Sequence, residues 1–195
     1  MFGFQYYAPT KVVFGREAEE WTADLLREQG AEKVLIHFGG QSAERSGLLD
    51  RIRKNLRDAG IAFCELGGVV PNPHLSKVRE GISMGLAQGV DFILAVGGGS
   101  VIDSSKAIAY GLGEPDKDVW ELFAGKRKAV KCLPVGSILT IAAAGSETSN
   151  SCVITNAETA EKRAYDDDIA RPRFAVMNPE LTMSLPDYQI GRAHV

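Results

Sequence analysis

The residues Phe92-Ile93-Leu94-Ala95-Val96-Gly97-Gly98-Gly99-Ser100 join an apolar run to three glycines and a hydroxyl. Beyond them Val101, Ile102, Ser105, Ile108 and Ala109 recur at helical spacing. Strand, side-chain-free turn and helix in that order can hold a phosphate. The first turn of a helix leaves backbone N–H groups without partners, and their partial positive charge favours an anion. Glycine lets the backbone approach that anion closely, and Ser100 adds a hydroxyl donor. Three glycines exceed what a tight turn needs, which favours phosphate binding over a purely structural turn. A second glycine-rich turn, Gly39-Gly40-Gln41-Ser42, follows an earlier apolar run. Two such turns on neighbouring strands suit a ligand with two phosphate-bearing ends, and a dinucleotide fits. The common G-x-G-x-x-G fingerprint is not met, because Ile102 stands where its last glycine would be.

The elements that must position these turns follow from periodicity. Strand-like segments at Phe4 to Tyr7 and Val12 to Phe14 precede a helix carrying Ala18, Trp21, Leu25 and Leu26. Lys33 to Phe38 is a short apolar strand, and Leu48, Leu49, Ile52 and Leu56 share one face of the next helix. A strand at Ile61 to Leu66 leads to a helix with Asn72 as N-cap, Pro73 in the first position and a stripe of Leu75, Val78, Ile82 and Leu86. Strand and helix alternate, which predicts an α/β fold: a Rossmann-like parallel sheet flanked by helices, with ligand at the carboxyl ends of the strands. After Tyr110 the pattern changes to a loop, an amphipathic turn at Val119 to Phe123 and a solvated basic stretch at Gly125 to Lys131. Strand-like and small residues then mix between Cys132 and Asn156.

Composition excludes several classes. A formal net charge of −3 gives no basic footprint for nucleic acid or anionic lipid. No apolar run approaches the ~20 residues of a membrane span, and the opening MFGFQYYAPTK lacks the features of a signal peptide. Cys64, Cys132 and Cys152 form no C-x-x-C pair and read as reduced thiols of a cytoplasmic protein. His37, His74 and His194 have no metal-ligand spacing, and Asp166 to Asp168 read as a solvated loop. Ser146 is not in a nucleophile elbow.

The runs GGGSVIDSSKAIA, PNP, LTIAAAGSET…VITN, EKR and NPELTMSLP together resemble the iron-containing (group III) alcohol dehydrogenases, and most nearly their NADP-dependent butanol dehydrogenase branch. The resemblance runs from about Phe4 to Gln189. It implies the N-terminal domain of the dehydroquinate synthase-like, iron alcohol dehydrogenase fold, with dinucleotide binding over residues 1–189. Gly98, Gly99 and Ser100 would hold the cofactor pyrophosphate, with Asp103 near the nicotinamide end and Asn72 near the adenosine side. Thr140, Val153, Lys162 and Leu181 match positions that line the dinucleotide. Ala144 departs from the family, where many members carry threonine. Cofactor choice follows from charge: NAD-preferring members carry an acid at the end of the second strand, where this chain has Gly39. With Gln41, Ser42 and Arg45 as donors, NADP(H) is expected, although Glu44 works against it.

The family chemistry is hydride transfer between a primary alcohol or aldehyde and nicotinamide, assisted by Fe²⁺ or Zn²⁺. Its metal ligands are expected beyond Gln189, in an all-helical domain absent from this chain, so the chain alone should be inactive. Residues 190–195, IGRAHV, depart from the family pattern and resemble a translated sequencing adapter, so they are expected to be a non-native tail. A homodimer paired through N-terminal strands is open. So are an NAD-dependent glycerol-dehydrogenase-like or synthase-like activity and a stand-alone dinucleotide module.

Overall fold

The computed structural model describes Gly3, residues 7–183 and Leu185. Strand β1 (Lys11–Phe14) leads through a 3₁₀ turn into α1 (Thr22–Glu28), β2 (Lys33–Phe38), the short α2 (Ser42–Arg45) and α3 (Leu48–Asp58). Next come β3 (Ala62–Leu66), α4 (Leu75–Gln88), β4 (Phe92–Gly97) and α5 (Gly99–Gly113). The short α6 (Trp120–Phe123) precedes β5 (Val135–Leu139), β6 (Ser151–Asn156), β7 (Glu161–Asp166) and β8 (Phe174–Met177). Six strands form one sheet in the order β1-β8-β5-β4-β2-β3, with every pairing parallel. The remaining two, β6 and β7, make a separate antiparallel hairpin.

Strands β4 and β5 are buried along their whole length. Helices cover both faces of the sheet, so these strands read as continuous apolar runs rather than alternating ones. One apolar layer gathers α1, α3 and the sheet around Leu26, Ile52 and Phe92. On the other side Tyr110, Ile108, Leu122 and Ile154 join α5, α6 and the hairpin. Helix α5 was expected to have one apolar face. From Val101 to Leu112 it is buried everywhere except Asp103, because the sheet, α4 and the hairpin all pack on it.

The expected stripe on α4 is displaced. Its buried residues are Leu75, Val78, Gly81 and Gly85, and Leu86 is 50% exposed. Glycine is invisible to an apolar pattern, yet here it is the contact face. A Cβ on Gly85 would stand 2.7 Å from the Leu112 side chain. Helix α4 also starts later than expected. Asn72 takes a left-handed φ of 58°, and His74, in extended conformation, precedes the first turn. The Pro73 carbonyl accepts from the Thr155 N–H (2.9 Å), and His74 bridges Thr155. Pairing with the hairpin therefore overrides the capping chemistry of Asn72. Trp21, placed on the helical stripe by spacing, is 61% exposed at the end of the 3₁₀ turn. The basic stretch is also not wholly solvated: Arg127 pairs with the buried Glu114 (3.1 Å). Phe4 to Tyr6 of the expected first strand, together with His194 and residues 190–195, lie outside the described residues. Among the described residues no helix is long and apolar enough to cross a membrane.

His37 is fully buried on β2, between a carbonyl and a hydroxyl. Its Nδ1 lies 2.8 Å from the Leu66 carbonyl, which can only accept, so Nδ1 carries the proton. Nε2 then accepts from the Ser104 hydroxyl on α5, at 2.9 Å. Burial lowers the imidazole from its usual value to about 4. An unfolded chain would take up this proton near pH 6.5 and the folded chain only near 4, so stability is full above 6.5 and is lost as pH falls between the two. We expect a loss of up to ~3 kcal/mol across that window. Urea midpoints from pH 7.5 to 4.5 check it, with His37→Gln giving a flatter slope than the parent.

Candidate functional site

The end of β4 and the start of α5 form the expected turn. Gly98, in extended conformation, is the residue before the helix, and its carbonyl accepts from the Val101 and Ile102 N–H groups at 3.0 and 3.1 Å. The N–H groups of Gly98, Gly99 and Ser100 have no acceptor among the described residues. They stand at the positive end of a fifteen-residue helix. A side chain at any of the three glycines would crowd the turn. A Cβ on Gly97 would meet Val101 at 2.5 Å, one on Gly98 would strike Ile141, and one on Gly99 would lie 3.0 Å from the Ala144 Cβ.

A cleft of about 240 Å³ opens beside this turn, across the carboxyl ends of β2, β4, β5 and β8. Gly39, Ser42, Gly98, Thr140 and Leu181, all expected from sequence, line it. Spacing missed Ala43, Ser46, Ile141 and Leu185, which also line it. Small and apolar residues of this kind carry no pattern of their own. Gln41 precedes α2 and its side chain is hydrogen-bonded to Arg45. Glu44, the neighbouring acid, is drawn into an ion pair with Arg53 at 2.9 Å.

The other expected residues gather on the far side of the turn, around the hairpin. Asp103 Oδ2 accepts from the Val153 N–H at 3.0 Å, while its Oδ1 is buried without a partner among the described residues. Burial raises the Asp103 carboxyl above the usual value, against the opposing pull of Ser146, Val153 and Lys106. Lys162 Nζ donates to Asn72 Oδ1 at 2.8 Å, and Lys162 pairs across the hairpin with Thr155. Asn72 thus sits with Lys162 and outside the cleft that Gly39 and Leu181 line. Free amides at a helix start, a glycine cradle and an orphaned buried carboxylate oxygen fit a dinucleotide spanning both clusters.

Asp168 is paired with Arg171 (2.7 Å) and accepts from Asn150. Burial pushes the Cys132 thiol up to about 12 and the Cys152 thiol up as well. Among the described residues no group of three His, Cys, Asp or Glu side chains is placed to hold a metal ion.

The family model for iron-containing alcohol dehydrogenase matches residues 9–179. The chain belongs to that family. It is 43% identical over 189 residues to the probable NADH-dependent butanol dehydrogenase 2 of Bacillus subtilis (strain 168), covering 97% of this chain and 48% of that protein. Against the NADPH-dependent aldehyde reductase YqhD of Escherichia coli (strain K12) it is 36% identical, covering 100% and 50%. The crystal structure of NADH-dependent butanol dehydrogenase A from Thermotoga maritima superposes with a TM-score of 0.93 at 38% identity, over 96% of this chain and 47% of that one. The chain spans about half the length of the curated relatives it matches.

Within this iron-containing alcohol dehydrogenase chain, the wall around Leu181 depends on a network that sequence reading missed. Leu181 rides on the 3₁₀ turn Pro179–Thr182, which Asn178 caps through the Glu180 N–H at 3.0 Å. Asn178 Nδ2 donates to the buried Glu19 at 2.9 Å, and Arg51 donates to the other oxygen of that carboxylate. Burial raises the Glu19 carboxyl, but bonds from its backbone, Asn178 and Arg51 outweigh that and hold it low. Replacing Glu19 by Ala removes the acceptor of the buried Asn178 Nδ2. We expect a loss of about 2 kcal/mol, read as a lower urea midpoint.

Proposed function

We propose that this chain binds a nicotinamide dinucleotide across the glycine turn, as the cofactor-binding part of an enzyme that interconverts a primary alcohol and its aldehyde. The observation that carries the reading is the set of free N–H groups at Gly98, Gly99 and Ser100, opening onto a cleft at the carboxyl ends of the parallel strands. The pyrophosphate would lie on those amides, with the Ser100 hydroxyl as a further donor. The adenosine half would occupy the cleft against Leu181 and Thr140, and the nicotinamide half would extend toward Asp103, Val153 and Lys162. A nicotinamide held there would supply hydride-transfer chemistry, with Asp103, Val153 and Lys162 placed around it. The orphaned Asp103 Oδ1 offers an acceptor to a ligand N–H or O–H, and Lys162 places a cation beside it.

Metal assistance belongs to the whole enzyme in this reading. The described residues do not provide a metal site, so no step here runs through one; the expected ligands beyond Gln189 lie outside the described residues. Cytoplasmic location is part of the same proposal, supported by three free cysteines. A homodimer is proposed through the sheet edge at β1, where Val12 and Phe14 are exposed. Light scattering should then give twice the 21.0 kDa chain mass.

For the cofactor we propose NADP(H). Gly39, just beyond β2, presents no carboxylate to repel a 2′-phosphate, Gln41 and Ser42 supply donors, and Glu44 is engaged by Arg53. NAD(H) is the second reading, favoured by the name of the 43%-identical relative. A Cβ on Gly39 would meet nothing closer than 3.6 Å, so this position accepts a side chain. Gly39→Asp should therefore fold and weaken NADPH binding by ~10-fold or more while sparing NADH. Fluorescence titration of both cofactors checks it. Tighter binding of NADH than NADPH by the parent chain would favour the second reading.

A further inference from the structure

Lys106 lies in the middle of α5 and is fully buried. Its Nζ donates to the carbonyl oxygens of Ser146, Ser149 and Ser151, each at 2.8 Å. Three N–H donors thus meet three carbonyls, and burial still lowers the ammonium from its usual value. Three residues earlier on α5, Asp103 accepts from the Val153 N–H. One helix therefore offers a cation to the carbonyls and an anion to an amide of the same segment, residues 146–153. The upstream end of that segment rests on the glycine turn. A Cβ on Gly99 would stand 3.0 Å from Ala144 Cβ and 3.4 Å from Ser146 Oγ.

We infer that Lys106 is a positioning residue: its ammonium folds the loop 144–151 against Gly99 and so shapes the chamber for the pyrophosphate and nicotinamide half of the cofactor. This rests on the dinucleotide reading above. Lys106 does not touch the cleft that Gly39 and Leu181 line, so its influence is confined to one half of the ligand. A merely structural lysine would lack that selectivity, because general loosening of α5 weakens every part of the site together.

The test is Lys106→Met, which keeps an unbranched side chain one atom shorter and removes the charge and donors. Two probes are titrated into parent and variant: NADPH, and adenosine 2′-monophosphate, which carries the 2′-phosphate but neither the pyrophosphate nor the nicotinamide half. The NADPH dissociation constant should rise ~10-fold or more, with that of adenosine 2′-monophosphate changed by less than about twofold. Equal weakening of both probes, or unchanged NADPH binding, overturns it. If the parent binds neither probe, the dinucleotide reading has failed, and amide exchange then decides the role of Lys106 by itself. Faster exchange confined to residues 145–153, with β4 and β5 unchanged, supports the positioning role. Exchange that rises throughout the sheet, or not at all, contradicts it. Should Lys106→Met not fold, Lys106→Gln, which keeps donors on a shorter and uncharged side chain, is read on the same scales.

Discussion

An ammonium buried inside a protein must be supplied with acceptors, because desolvating an uncompensated charge costs several kcal/mol. Lys106 meets that requirement with three backbone carbonyls from a loop 40 to 45 residues away in sequence. Much of the architecture follows from this. The helix that carries Lys106 starts at the glycine turn, and the loop that satisfies it leads into the β6–β7 hairpin. Asp103 ties the same hairpin through Val153, and Thr155 ties it onward to Pro73. The hairpin belongs to no larger sheet, so these polar attachments and the apolar layer around Tyr110, Cys152 and Ile154 hold it in place. The hairpin cluster is thus tied to the helix that begins at the glycine turn.

The glycine turn was legible from the sequence because its chemistry is local. A buried strand, a run of glycines and a periodic helix follow one another without interruption. The parallel sheet was legible for the same reason, since its central strands are apolar on both faces. Local patterns failed where a distant partner decides the outcome. Asn72 and Pro73 have the chemistry of a helix start, but the pairing of His74 with Thr155 keeps that segment extended. Leu86 falls on the helical stripe of α4, yet Gly81 and Gly85 face the neighbouring helix because only their lack of a side chain permits the approach. Strand β7 has almost no buried residue, so no alternation announced the hairpin. Lys106 falls outside the periodic set of Val101, Ile102, Ser105, Ile108 and Ala109. Only the fold shows that α5 has no solvated face there.

The site residues read from the glycine turns and from the family resemblance fall into two sets. Gly39, Ser42, Gly98, Thr140 and Leu181 share a cleft, whereas Asp103, Val153, Asn72 and Lys162 are joined by hydrogen bonds and strand pairing around the hairpin. Gly99 lies between them, against Ala144 and Ser146. Such a division suits a ligand with two ends joined by a charged centre. It also gives the departure at Ala144 a physical meaning: a methyl group, not a hydroxyl, borders the turn at that point.

The most direct measurement of the central claim is a ¹H–¹⁵N correlation spectrum of the chain as NADPH is added. The largest shift changes should fall at the amides of Gly98, Gly99 and Ser100, with smaller ones around Gly39 to Ser42 and Val153. Saturating changes that leave the Gly98–Ser100 amides unmoved, or no saturable change at all, would contradict it.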